Sequence, residues 1–209
     1  MDLLFLIKKI QESLNLEVDG VAGPATWQAI ADKLAPAPKK APSISNLKNG
    51  SLAKKLVEFA KEEIGVEEVD GSNCGPRVNE YKSATTLNPR ASWPWCAAFI
   101  CWLFKESMKN SKHSFSRPTT ASAWDFENWA RGENDSVKLQ KPHNNDIKSG
   151  DIVVFTFSHI GLAISGVDSA GYVDTIEGNT DGQGSREGGA VLQKKRHISQ
   201  IRSRIRVLE

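Results

Sequence analysis

Apolar positions in the first 34 residues recur at helical spacing. Leu3, Leu4, Ile7, Ile10 and Leu14 follow the 3.6-residue period of one helix face. Asp19-Gly20-Val21-Ala22-Gly23-Pro24 predicts a turn, and Thr26, Trp27, Ile30 and Leu34 predict a second short helix. Two helices of this size bury little, so the unit is marginal or docks on something. Further on, Leu52, Ala53, Leu56, Val57, Ala60 and Ile64 predict an amphipathic helix with Ser51 as N-cap and Gly65 at its end. A polar, glycine-containing stretch leads to Tyr81. The run WPWCAAFICWLFKESM then predicts a strongly apolar helix beginning near Pro94 or Trp95. Residues 118–130 read as another short helix with Trp124 and Trp129 turned inward. Beyond Gly150 the period changes. Residues 151–157, 160–165 and 172–176 are β-branched or aromatic runs, broken at Ser158-His159 and at 167–171. Residues 190–196 and 201–207 predict two more strands. Helices first and an antiparallel meander afterwards indicate an α+β domain, its helices packed on one face of a sheet.

Composition divides the chain. Residues 35–50, APAPKKAPSISNLKNG, hold almost no large apolar groups, and Pro36, Pro38 and Pro42 favour an extended, semi-stiff connection. The expected organisation is therefore a small helical module at 1–34, a linker at 35–50 and a domain at 51–209. Such a domain is long enough for a real core. Lys and Arg number 27 against 25 Asp and Glu, a net charge of +2. So small an excess does not point to nucleic acid, which favours a clear basic patch. It is compatible with an anionic cell wall. The apolar stretch Leu3–Ile7 is too short for a signal peptide, with no positive region before it and no small-residue cleavage site after it. No run reaches membrane-spanning length. A monomer made in the cytoplasm, with no membrane insertion, is expected.

Three cysteines, Cys74, Cys96 and Cys101, are too few and too uneven for a disulfide framework, and no CxxC pair is present to hold zinc. Cys96 stands at the start of the apolar helix. There it meets unpaired backbone N–H groups and the positive end of the helix dipole, both of which favour thiolate. The alternative is a small core residue. Cys101, mid-helix, reads as core. Among four histidines, His113, His143 and His197 lie in polar or basic segments. His159 opens a strand beside Ile160 and Gly161, where an imidazole can be aimed at a helix terminus. The next strand ends Thr175-Ile176-Glu177-Gly178-Asn179, and Glu177 or Asn179 could accept the second ring N–H of His159. Trp93 and Trp95 flank Cys96 as groove walls or as core aromatics.

Three segments, WPWCAAFICWLF, SGDIVVFTFSHIGLAIS and YVDTIEGNT, together resemble the CHAP domain, the cysteine, histidine-dependent amidohydrolase/peptidase group of papain-like folds. NCGPRVNEY resembles the segment before the nucleophile in some members. The resemblance covers residues 51–209. It implies Cys96 as nucleophile, His159 as base, Glu177 as orienting residue and Asn179 as a fourth polar member, acting on amide bonds of bacterial peptidoglycan. Some relatives carry calcium near the domain start, but Asp70-Gly71-Ser72-Asn73 is only a fragment of an acidic loop, so no metal or cofactor is expected. IKKIQESLNLEVDGVAGPATWQAI resembles part of a helical peptidoglycan-binding module.

The expected reaction is acyl transfer. The Cys96 thiolate attacks, its own backbone N–H helps hold the oxyanion, and Tyr81 or Asn79 supplies a second donor. The enzyme would be an N-acetylmuramoyl-L-alanine amidase or a peptide-cross-link endopeptidase. The combination resembles a phage endolysin, released from the cytoplasm to the wall through a holin or similar route. A non-catalytic wall-binding protein on a retained hydrolase fold is the competing reading.

Overall fold

A computed structural model describes residues 2–34, 51–133, 135–184 and 187–208. The expected linker at 35–50 lies outside the described residues. The chain divides into two compact units, Met1–Lys40 and Ala41–Glu209.

The first unit holds helices α1 (Leu3–Ser13) and α2 (Pro24–Leu34). Its centre is polar. Gln11 is buried, and its amide donates to Asp19 Oδ1 (2.7 Å), to the Val21 carbonyl (3.1 Å) and to Thr26 Oγ1 (3.2 Å). Its Oε1 accepts from Gly20 N at 2.8 Å. One side chain thus ties the turn to both helices, doing what a hydrophobic core cannot do in so few residues. Leu3, Leu4, Phe5, Leu6 and Trp27 remain exposed.

The second unit begins with α3 (Leu52–Glu62), whose first turn is capped by Ser51 accepting from Lys54 N. Helix α4 (Pro76–Lys82) was not anticipated; it opens on a proline at its first position, where no N–H is needed. Helix α5 (Cys96–Ser107) is almost wholly buried. Helix α6 runs only from Phe126 to Gly132. The broader helix expected over 118–130 fails at its start. Trp124 is 41% exposed rather than inward, its indole N–H donating to the Phe155 carbonyl at 3.2 Å with the Arg202 guanidinium over its ring.

Among the described residues, six strands form one antiparallel sheet in the order β1-β6-β2-β3-β4-β5. They are β1 (Val137–Gln140), β2 (Ile152–Phe155), β3 (Ile160–Ala163), β4 (Tyr172–Thr180), β5 (Ala190–His197) and β6 (Ile201–Val207). Strands β2 to β5 form the expected meander. Strand β6 departs from it, crossing back to pair with β2. Burial accords with this: β6 is buried at every position but Arg202 and Arg206, which are partly exposed, whereas β5 alternates with exposed Gln193 and Lys195 and suits an edge.

The main core lies between the sheet and the helices, joining Ile152, Val154, Ile160, Leu162 and Ile176 to the buried side of α3, α5 and α6. A smaller cluster, including Val153, Phe155, Ala163, Val173 and Ile201, fills the other face. This is an α+β architecture with helices against one face of an antiparallel sheet. No helix among the described residues is long and apolar enough to cross a membrane.

Candidate active site

Helix α5 starts where it does because the residue before it is anchored. The Trp95 ring is fully buried against Tyr81 (centroids 5.6 Å apart), and its indole N–H donates to Glu68 Oε2 at 3.0 Å. Trp95 is the N-cap and Cys96 the first helical residue, so Pro94 sits just before the cap rather than inside the first turn. Cys96 is 5% exposed and opens onto a cleft of about 210 Å³, with Leu87, Trp93, Pro94, Ser122 and Ser158 among its walls.

His159 stands between β2 and β3 and is fully buried. Its ring stacks with Phe155 and Phe157, at centroid distances of 5.7 and 6.0 Å. Pairing of β3 with β4 brings the carboxylate of Glu177 to it, with Nε2 and Oε2 3.0 Å apart. The second ring nitrogen, Nδ1, is buried without a hydrogen-bond partner, and Cys96 is the neighbour besides Glu177 that acts on the ring's proton affinity. The site therefore runs Cys96, His159, Glu177, with only the sulfur end reaching the cleft.

Two opposed effects set the charges. Burial alone would drive the imidazole toward its neutral form, but the neighbouring Cys96 and the hydrogen bond with Glu177 outweigh it and raise the pKa of His159 to about 9. Burial alone would raise Glu177 as well, yet hydrogen bonds from Arg196 and His159 hold it at about 2. At neutral pH the ring carries a proton beside an ionised carboxylate.

Two glycines permit this packing. A Cβ at Gly161 would lie 2.8 Å from Glu177 Cγ, so the Glu177 stem crosses β3 only because that position lacks a side chain. A Cβ at Gly178 would lie 2.8 Å from both Phe99 Cβ and the Trp95 ring, so β4 touches α5 directly. Asn179 follows in the left-handed region (φ 59°), fully buried within β4 rather than in an exposed turn.

The other sequence-predicted residues separate. Trp93 lines the cleft, its indole N–H donating to the Asn88 carbonyl at 2.9 Å, and the Lys82 ammonium lies 4.8 Å from its ring centre. Trp95 belongs to the core instead of the groove. Tyr81 is not placed as an oxyanion donor. Its hydroxyl donates to Glu63 Oε2 at 2.5 Å, and its ring packs among Trp95, Phe99 and Trp102. Asn79, on α4, is not among the cleft walls either. Both expectations rested on nearness in sequence, and α4 turns these side chains elsewhere. Cys101 is in the core, bonded to the Thr120 carbonyl and pushed up to about 12 by burial. Cys74 is buried against the Lys82 ammonium.

Sequence reasoning missed Arg196 and Thr175. Arg196 Nε and Nη2 donate to Glu177 Oε1 (2.8 Å) and Oε2 (2.5 Å), and Thr175 Oγ1 donates to Oε1 at 2.6 Å. A signal was available: a carboxylate inside an apolar strand needs a cation, and the next strand offers one. No group of three or more His, Cys, Asp or Glu among the described residues is placed to hold a metal ion.

No curated protein matches the sequence. Among solved structures, the chain is similar to one described as a wild type endolysin, LysIME-EF1, at 13% identity with a TM-score of 0.46. The match covers 74% of this chain and 63% of that one, so this chain spans less than two thirds of its length. The CHAP domain family model matches residues 88–179, the stretch that holds Cys96, His159, Glu177 and Asn179. Over residues 88–179 the chain is thus similar to the CHAP domain family.

Proposed function

We propose that this protein is a cysteine-dependent peptidoglycan hydrolase that cleaves an amide bond of the bacterial cell wall. The observation that carries the reading is the buried Cys96–His159–Glu177 relay, with its sulfur alone presented to a cleft. In this mechanism Cys96 acts as the thiolate and His159 as the imidazolium, and the first N–H groups of α5 lie beside the sulfur. The thiolate attacks the amide carbonyl, and the carbonyl oxygen takes up negative charge near the free backbone N–H of Cys96. The imidazolium gives its proton to the leaving amine as the C–N bond breaks. The neutral ring then takes a proton from water, whose oxygen attacks the thioester; the C–S bond breaks, freeing the carboxylic acid and restoring the thiolate beside the imidazolium. Glu177 fixes the ring and stabilises its charged form.

The finer activity is that of an N-acetylmuramoyl-L-alanine amidase or a peptide-cross-link endopeptidase, in an endolysin-like role with peptidoglycan as partner. The test is turbidity loss of purified walls with the wild type and Cys96→Ala, followed by mass spectrometry of the released muropeptides. New free N-terminal alanine on stem peptides identifies the amidase, and cut cross-links identify the endopeptidase. Walls bound but left intact by the wild type would favour a non-catalytic wall-binding protein and overturn the proposal.

A further inference from the structure

Glu177 is a fully buried carboxylate, and the group that answers its charge comes from the neighbouring strand. Arg196 pairs with Val173 across β4 and β5, and its side chain runs along the Val173–Thr175–Glu177 side of β4 to the carboxylate. Two donors of the guanidinium meet two acceptors, a fork that lysine cannot reproduce. The oxygen that accepts from Nη2, Oε2, is the one that faces His159.

The fork is itself held. Nη1 donates to the Gly184 carbonyl at 3.2 Å, and the guanidinium lies 5.2 Å from the Phe155 ring centre and 5.4 Å from that of Phe157. These are the rings that stack with His159. Gly184, at φ 85°, leaves no room for more: a Cβ there would lie 2.9 Å from Nη1.

We propose that Arg196 is a positioning residue for the hydrolysis, keeping Glu177 ionised and its Oε2 aimed at His159 Nε2 without touching the substrate. This rests on the hydrolase reading above. A carboxylate buried without a cation takes up a proton in preference to staying charged. A neutral acid would no longer stabilise the imidazolium, and the Glu177 side chain, released from its fork, would lose its direction.

The test uses the full chain as wild type, Arg196→Lys, Arg196→Gln, Glu177→Gln and the double variant Arg196→Gln/Glu177→Gln. Wall hydrolysis is followed as kcat and KM, His159 is titrated through its ring signals by NMR, and thermal melts are run alongside. The wild-type ring should titrate near 9. Arg196→Gln should titrate at least about one pH unit lower, a tenfold loss of proton affinity. Its kcat should fall at least about tenfold while KM changes little, and Arg196→Lys should fall between. In the double variant, Arg196→Gln should add no shift to that of Glu177→Gln, because the group it acts through is gone. An unmoved His159 titration in Arg196→Gln, or equal and additive shifts in the double variant, would overturn the proposal. Should Arg196→Gln alone fail to fold, Arg196→Lys and the double variant, which leaves no unpaired buried carboxylate, decide it by the same criteria. A wild type inactive on walls sinks the hydrolase reading and this proposal together. An active wild type with an unmoved titration sinks this proposal alone.

Discussion

Gly161→Ala tests the site through a single methyl group. The residue has ordinary strand backbone, so alanine brings no conformational penalty and the effect is steric. The new Cβ would stand 2.8 Å from Glu177 Cγ, 3.4 Å from the Ile176 carbonyl oxygen and 3.6 Å from Glu177 Cδ. Carbon pairs are at ease near about 3.5–4.0 Å, so the Glu177 stem must retreat by roughly 1 Å. Its carboxylate has four bonds to lose, to His159 (3.0 Å), Arg196 (2.8 and 2.5 Å) and Thr175 (2.6 Å). A shift of about 1 Å takes most of them beyond bonding range. Misplacement of this size costs on the order of 100-fold in turnover. Overpacking of a tight interior costs about 1–3 kcal/mol, at about 2–4 °C of melting temperature per kcal/mol for a domain of this size. The assay is the initial rate of turbidity loss, run well below the melting temperature of the variant. Glycine to alanine at a tolerant site stabilises by about 0.4–1 kcal/mol. A variant that melts higher than wild type and keeps its turnover within about twofold would show that Gly161 does not gate the Glu177 position, and would refute the reasoning.

Four further outcomes are expected. Brief iodoacetamide treatment should label Cys96 before Cys101 and Cys74 in peptide maps; preferential labelling of Cys74 would move the nucleophile and break the mechanism. Glu177→Ala should lower turnover by about 100-fold or more and Asn179→Ala by less, with melts run alongside; the reverse order at unchanged melting temperature would assign the orienting role to Asn179. Limited proteolysis should release a stable fragment starting near Ser51 that retains hydrolytic activity, and its absence would show one folding unit. Glu177 and Glu127 both have folded pKa values of about 2 against an ordinary 4.5. Each therefore contributes stability that is fully present above 4.5 and is lost as pH falls toward 2. Urea midpoints at pH 7, 4 and 2.5 should fall in that order, and a midpoint at 2.5 equal to that at 7 would contradict it.

Much of the site was legible because its residues sit at element boundaries. Cys96 at a helix start, His159 at a strand start and Glu177 near the end of the adjacent strand follow from local pattern and antiparallel pairing alone. Arg196 was not legible, because it lies 19 residues from Glu177 inside a run of basic residues, and only the β4–β5 register turns it inward. The place of β6 was hidden for a related reason: strand identity is local, but strand order depends on which edge has buried neighbours to offer. Tyr81 misled because an aromatic with a polar tip suits an oxyanion donor and a core hydrogen bond equally well, and Glu63, 18 residues upstream, took the hydroxyl. Strand β1 escaped because four residues of mixed polarity, Val137–Gln140, carry no clear period.

The contact at Gly178 bears on how inhibitors would engage this protein. With β4 resting on Phe99 and Trp95 and no side chain between them, the thiol on α5 and the carboxylate on β4 are fixed to one rigid body. The warhead of a covalent inhibitor would meet its attacking sulfur already in register and would spend little binding energy on rearranging that body. Potency within a series of electrophiles should then follow how well each fills the hollow beside Trp93, Ser122 and Ser158. The shape of the unliganded cleft is thus a sound template for designing such compounds.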